Sequence, residues 1–338
     1  MSSSRRTPGQ ASAVAHSNIA LAKYWGKADL AANLPAVPSL SMTLEALRTR
    51  TTVRFDATLP SDRLFLDGTA QGGRELNRVS KLLDGVRAEA GTQWCAEVTS
   101  HNDFPTASGL ASSASGFAAL ALAARAAAGL DCSLPRVSAV ARAASASAAR
   151  SAFGGYVVLE SAGHAALPFL PGEHFPLVML VTVLTQQPKA VSSTQAMQLT
   201  AQSSPYYPSW VAHAPAVFDQ VKTALQRRDI EALGDAVEHS TLAMHASMMA
   251  AQPGILYLQP QTLQVMTRVR ELRQQGIPAY YTMDAGPHVK VLTLPEHSQR
   301  LEAELKQMPD VVRVIPSKPG PDAIVLPNDA VTAAQGDA

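Results

Sequence analysis

The chain reads as a two-domain α+β protein, and three observations predict that class. Its 338 residues exceed what one hydrophobic core usually organises. Strand-like and helix-like patterns interleave along the whole length with no repeat period. A dense run of punctuation, FLPGEHFP over 169–176, divides the chain near its middle. The expected division is an arm over 1–12, a first domain over 13–175, a second over 176–328 and a frayed tail over 329–338.

Each element follows from local pattern. Val14 to Lys23 and Pro38 to Leu44 read as strands. Thr49, Thr51, Val53 and Phe55 alternate with Arg48, Arg50, Thr52 and Arg54, a period of two that makes a half-buried strand with a basic outer face. Leu76, Val79, Leu83 and Val86 repeat at helical spacing, so Gly73 to Glu89 is a helix, and Cys95 to Ser100 is another strand. From Ala107 to Ala149, 18 of 43 residues are alanine, which predicts tightly packed helix, reopened at Leu134-Pro135 because proline suits a first turn. Gly154 to Glu160 returns to a strand.

Beyond the punctuation, Leu177 to Leu184 is an apolar run of strand length. Helices are expected at 192–201, 209–227, 229–249, 261–275 and 295–307, and strands at 279–282, 290–294 and 311–315.

Composition excludes several functions. Lys and Arg total 28 against 27 Asp and Glu, a net charge of +1, which argues against a nucleic-acid or polybasic-lipid binder. Two cysteines, Cys95 and Cys132, support neither a disulfide framework nor a four-thiolate zinc site, as expected in a reducing cytoplasm. The uncharged stretch from Phe104 to Ala124 is long enough to span a bilayer, but Pro105, Thr106, Gly109 and its serines argue against a membrane helix. The nine histidines show no metal-ligand spacing and there is no Gly-x-Ser-x-Gly elbow.

The sharpest local signal is Pro105-Thr106-Ala107-Ser108-Gly109-Leu110-Ala111-Ser112-Ser113, leading into a helical pattern. Helix-initial N–H groups lack intrahelical partners and carry the positive end of the macrodipole, and small side chains let a phosphate reach them. Read alone, the segment fits a phosphate cradle or a serine-capped, alanine-rich helix packed on a sheet. It is not the Gly-x-x-x-x-Gly-Lys-Ser/Thr form, and no Gly-x-Gly-x-x-Gly occurs.

Other segments carry two readings in the same way. Asp284, between a strand and Gly286-Pro287, is a carboxylate fixed at a strand end or a turn-forming Asp. Lys23 and Lys27 flank Tyr24-Trp25-Gly26 and are either inward-aimed ammonium groups or solvated lysines. Arg150 ends a stretch of small residues and suits a carboxylate, a phosphate or a helix C-terminus. Ser192 and Ser193 cap the helix near Thr194, with or without an anion.

Five stretches in order carry a resemblance: NIALAKYWGK (18–27) with Ser39-Leu40-Ser41-Met42-Thr43-Leu44, the loop over 105–116, SASAARS (145–151) with Phe153-Gly154-Gly155, VSSTQAMQLT (191–200), and TMDAGP (282–287). Together they resemble the galactokinase–homoserine kinase–mevalonate kinase–phosphomevalonate kinase superfamily, and within it the diphosphomevalonate decarboxylase family, from about residue 13 to about 325. The resemblance implies a first domain like the second domain of ribosomal protein S5 and a ferredoxin-like second domain. It implies ATP-dependent decarboxylation of mevalonate 5-diphosphate to isopentenyl diphosphate, with ATP and magnesium required and a homodimer expected. Rival expectations are a monophosphate-using or 3-kinase sibling, and a non-catalytic metabolite sensor.

By the same resemblance, Asp284, Lys23 and Arg150 are the catalytic set. Tyr24, Lys27, Ser145, Ser147, Arg150, Ser192 and Ser193 bind substrate. Pro105, Thr106, Ser108, Gly109, Leu110, Ala111, Ser112, Ser113 and Arg78 bind ATP, with Ser113 near the magnesium. Ala144 and Ala146 stand where the family has glycine, Met283 where it has phenylalanine and His288 where it has asparagine; all four are expected to bear on substrate preference.

Overall fold

The computed structural model describes residues 9–104, 112–185 and 191–327. Two large antiparallel-dominated sheets, a separate two-stranded β2–β3 sheet and eight α-helices organise those residues. In the first half, β1 (Gln10–Ala22), β2 (Lys27–Asp29), β3 (Leu34–Pro35), β4 (Ser39–Asp56), β5 (Arg63–Leu66) and β6 (Thr69–Gln71) precede α1 (Gly73–Ala90). Then come β7 (Cys95–Asn102), α2 (Ser112–Ala127), α3 (Leu134–Ala144), a 3-10 helix over Ala146–Ala152, β8 (Tyr156–Leu159) and β9 (Leu167–Leu170). The second half contains β10 (Val178–Val183), α4 (Ser193–Ser203), α5 (Tyr207–Arg227), α6 (Ile230–Met249) and α7 (Pro260–Gln274). It closes with β11 (Tyr280–Met283), β12 (Val289–Thr293), α8 (Pro295–Lys306), β13 (Arg313–Ser317) and β14 (Ile324–Leu326).

The first sheet runs β14-β1-β4-β7-β5-β6, with β8 joining β4 and β9 joining β8. β4 serves two neighbourhoods: Ser39–Leu44 are buried throughout, with Ser39 to Met42 paired to β8, whereas its second half alternates and presents arginines to solvent, as the period of two predicts. α2 lies against β1 and β4 with Ala118, Ala119, Ala121, Ala123 and Ala124 fully enclosed. Alanine lets the helix approach the sheet closely at little side-chain entropy cost. The alanine-rich region breaks at Gly129 (φ +63°) and reopens at Leu134 as expected, but it tightens to 3-10 geometry after Ala144, so Arg150 sits in that tight turn rather than at an α-helix C-terminus.

The second sheet has the order β11-β12-β10-β13, all antiparallel. With α4–α7 between its first two strands and α8 before its last, this is the ferredoxin-like arrangement. One apolar cluster joins the two domains: Ile19, Leu40 and Met42 of the first sheet pack with Met179 and Val181 of β10 and with Phe218 and Val237 of α5 and α6.

Two expectations are corrected. The arm was expected through residue 12, but β1 starts at Gln10 and pairs Gln10 with Arg54. The chain end does not stay with the second domain: β14 pairs with β1, Ser12 opposite Leu326, after Pro319 bridges to Leu44. The β2–β3 and β5–β6 hairpins and β9 were not anticipated. Among the described residues no helix is long and apolar enough to cross a membrane. The tail from residue 328 and the loop residues Pro105, Thr106, Ser108, Gly109, Leu110 and Ala111 lie outside the described residues.

Candidate active site

One cavity of about 820 Å³ gathers the chemistry, lined from both domains. β1 ends at Ala22, and the next residues turn at Gly26, whose φ of +102° and close approach to Tyr207 exclude a side chain. That turn places Lys23, Tyr24 and Lys27 on the cavity wall. β11 ends at Met283, and a tight turn in which Gly286 N–H donates to Asp284 O (2.8 Å) delivers Asp284 to the opposite wall. The 3-10 helix supplies Arg150 and Ser147, with Ser145 just ahead of it.

Lys23 Nζ lies 2.7 Å from Asp284 Oδ1, and Lys290 Nζ lies 3.4 Å from Oδ2. The Lys23 side chain is 1% exposed and Lys290 0%, while Asp284 keeps 27%, because its carboxylate opens into the cavity. Burial alone would push the Asp284 carboxyl up; the two ammonium groups outweigh it and hold the group well below the usual carboxylate range. Burial pulls Lys23 down to about 8, against the opposing pull of Asp284. Ser240 on α6 fixes the strand end by accepting the Lys23 backbone N–H at 2.9 Å.

Arg150 is equally enclosed. Its Nε donates to Asn18 Oδ1 (3.2 Å) and Ser41 Oγ (3.0 Å), and Nη1 donates to Ser39 Oγ (2.6 Å). Every one of these partners is neutral, and burial lowers the guanidinium to about 10. Asn18 in turn donates to Ser147 O and Ser151 Oγ, tying β1 to the 3-10 helix. The Tyr24 hydroxyl is buried at the cavity wall with no partner among the described residues, and burial pushes its phenol up.

A second wall is cationic. Arg74, Arg78 and Lys81 recur at four and three residues along α1, one helical face, and all line the cavity with Lys27. Burial, then the charges of Arg78 and Arg74, lowers Lys27; burial, then Arg74, lowers Arg78. Arg78 stacks 4.4 Å over the Phe117 ring and donates to Ala144 O at 3.2 Å. Arg74 reaches Ser192 Oγ at 3.4 and 3.5 Å, and that same oxygen caps α4 by accepting Gln195 N–H. Ser112, Ser113, Ser192 and Ser193 all line the cavity. So does one acidic residue of α1, Glu75. The arrangement fits a multiply charged phosphate ligand lying between α1 and the start of α4.

Two family descriptions match the chain: a diphosphomevalonate decarboxylase-like N-terminal domain over residues 15–166 and a mevalonate 5-diphosphate decarboxylase C-terminal domain over residues 179–318. The diphosphomevalonate decarboxylase of Ganoderma lucidum is 35% identical, the match covering 86% of this chain and 80% of that one. The chain belongs to the diphosphomevalonate decarboxylase family. A phosphomevalonate decarboxylase from Haloferax volcanii is 33% identical over 87% of this chain and 91% of its own. A solved structure described as MDDEF in complex with MVAPP, AMPPCP and magnesium aligns with a TM-score of 0.88 at 38% identity, covering 95% of this chain and 99% of that one.

Within this family's cavity, two departures noted from sequence fall elsewhere. Met283 is fully enclosed in the core of the second sheet, and His288 is also fully enclosed, its Nδ1 accepting Leu184 N–H at 3.1 Å. Neither lines the cavity, whereas Ala144 and Ala146 do. Sequence reasoning missed Lys290, His245, Asn18, Ser39, Ser41, Arg74 and Lys81. The Arg74–Arg78–Lys81 spacing was the available signal for two of them. His245 sits on α6 beside the ion pair, buried to 1%, with neither ring nitrogen partnered among the described residues; burial, then Lys23, brings it down to about 4, so it is neutral near pH 7. Among the described residues no group of three or more His, Cys, Asp or Glu could hold a metal ion.

Proposed function

We propose that the protein catalyses ATP-dependent decarboxylation of mevalonate 5-diphosphate, giving isopentenyl diphosphate, ADP, phosphate and carbon dioxide. The observation that carries this reading is the convergence of Lys23, Arg150 and Asp284 on one cavity whose other wall holds Arg74, Arg78, Lys81 and Lys27. The family membership and the relative described with MVAPP, AMPPCP and magnesium support it.

The residues fit a nucleotide and a diphosphate. Burial first, and then cationic neighbours, lower Lys27 and Arg78, and bound phosphates would relieve the crowding of positive charge. Arg74, Arg78, Lys81 and the start of α2 would hold ATP, with Ser113 beside its magnesium; Tyr24, Lys27, Ser145, Ser147, Ser192 and Ser193 would hold the substrate diphosphate. When bound, magnesium–ATP supplies the phosphoryl group that turns the tertiary hydroxyl at C3 into a leaving group.

Asp284 faces that hydroxyl as a permanent anion. Held far below the usual range, it is a strong stabiliser of positive charge at C3 as the phosphate departs. As a weak resting base it would take the hydroxyl proton only in passing, on its way to phosphate oxygen or water. Arg150 has Nη2 without a partner among the described residues, and its fork suits the substrate carboxylate until carbon dioxide leaves. Lys23 neutralises charge gathered around the reacting carbon. The experiment supplies magnesium–ATP with mevalonate, its 5-phosphate or its 5-diphosphate in parallel and measures ADP and carbon dioxide separately. Equal amounts of both from the diphosphate support the reading. ADP without gas makes the protein a kinase, and gas from the monophosphate alone moves the substrate to that of the Haloferax volcanii relative.

A further inference from the structure

We propose that Lys290 is a positioning residue: it grips the second oxygen of Asp284 from behind, which leaves Lys23 to serve the cavity. The inference rests on the function proposed above and assigns the two lysines different tasks. They touch opposite oxygens of one carboxylate, Lys23 at Oδ1 (2.7 Å) and Lys290 at Oδ2 (3.4 Å). Lys23 lines the cavity. Lys290 does not.

The fold explains the placement. β11 and β12 pair with Thr282 opposite Lys290, so the lysine shares a sheet face with the residue two before Asp284. Thr282 contacts Thr241 of α6 on that face, with Oγ1 atoms 3.0 Å apart. Lys290 is thereby sealed between sheet and helix at 0% exposure, and besides Asp284 its ammonium reaches the backbone oxygen of His288 at 3.4 Å. Enclosing an ammonium is costly, and an apolar side chain in its place would pack a ferredoxin-like core at less cost. The cost is explained if the charge is used.

Its use is to hold Asp284 while charge around it changes. The groups facing Asp284 are Lys23 from the end of β1, Lys290 from β12, Arg150 from the 3-10 helix and His245 from α6, the last neutral near pH 7. Phosphates and a carboxylate entering the cavity compete for Lys23 and Arg150, both of which line it. Lys290 is out of their reach, so one oxygen of Asp284 stays fixed and the group stays ionised through the reaction.

The test compares wild type with Lys290→Met, Lys290→Gln and Lys290→Arg. The neutral variants are expected to lose about tenfold or more in kcat with KM for both substrates little changed, the signature of a lost transition-state contribution. Their acid limb in kcat should move up by about one pH unit or more, because a cation has been taken from the carboxylate. Lys290→Arg should recover most of the rate. Unchanged kcat and acid limb in the neutral variants would overturn the proposal. So would failure of both to fold, which would assign the lysine to the core alone. A wild type that releases no carbon dioxide defeats the parent reading instead. The ¹³Cγ titration of Asp284 then decides this one without catalysis: an upward shift in Lys290→Gln sustains it, and identical titrations in the two proteins reject it.

Discussion

Arg125 and Arg150 are both sealed inside the first domain, and they are treated in opposite ways. Arg125, at 0% exposure, meets Glu89 through Nη1 and Nη2 at 2.7 and 2.9 Å, and its Nε donates to Asp131 O. Bonding to Glu89 raises its pKa above the ordinary arginine value. Arg150, at 2% exposure, is given serine and asparagine oxygens and no carboxylate partner of its own, and burial lowers it. One arginine is complete within the fold; the other has its charge unmatched beside a cavity. The contrast teaches that burial alone does not mark a functional cation. What marks it is burial without neutralisation, which a ligand must supply.

Breaking the acidic member of the site should have the largest effect. Asp284→Asn keeps the shape and removes the charge, so turnover should fall on the order of 10³-fold while nucleotide affinity hardly moves. Single-turnover release of carbon dioxide, alongside nucleotide titration, checks this. Next, Arg150→Lys should lose about 10²-fold in turnover at nearly unchanged melting temperature, because lysine cannot copy the planar fork. Arg125→Ala should do the reverse. It should retain activity but lose about 2–3 kcal/mol of stability in a denaturant titration, less than a fully buried pair would cost because the Glu89 side chain is 35% exposed.

pH sharpens the same contrast. Glu89 is drawn down to about 2, chiefly by its bond with Arg125, so that pair stabilises the fold above the ordinary glutamate range and loses its contribution as pH falls toward 2. Lys23 behaves in the opposite sense. Drawn down to about 8, it carries its proton below that pH and loses it above, so kcat should decline on the alkaline side of about 8. Lys23→Arg should abolish that alkaline limb, a guanidinium remaining charged throughout. The smallest effect is expected at Ser192, where Ser192→Ala removes the cap of α4 at a cost of about 1 kcal/mol, with KM raised about threefold or less.

The same distinction explains what the amino-acid order disclosed. Lys23, Arg150 and Asp284 stand in segments whose residue order is itself distinctive, so their meeting was legible before any coordinates. Lys290 was not: within Val289-Lys290-Val291-Leu292 a lysine reads as the solvent face of a strand, yet it is enclosed beside Asp284, opposite the Thr282 that meets Thr241 of α6. The strands of the second sheet were legible from pattern, and their ferredoxin-like arrangement only from the resemblance. The return of β14 to β1 was not, because Ile324–Leu326 is too short and too exposed to declare its partner. The Ala/Ser composition predicted helix, and Leu134-Pro135 its restart, but not the 3-10 turn that aims Arg150, which depends on what surrounds it.

The claim that Arg150 waits for a ligand and Arg125 does not is tested most directly by calorimetric titration of mevalonate 5-diphosphate into wild type, Arg125→Lys and Arg150→Lys. The account predicts that Arg125→Lys binds as tightly as wild type, while Arg150→Lys binds about tenfold more weakly or worse. Equal affinity in all three proteins, or equal weakening in both variants, would contradict it.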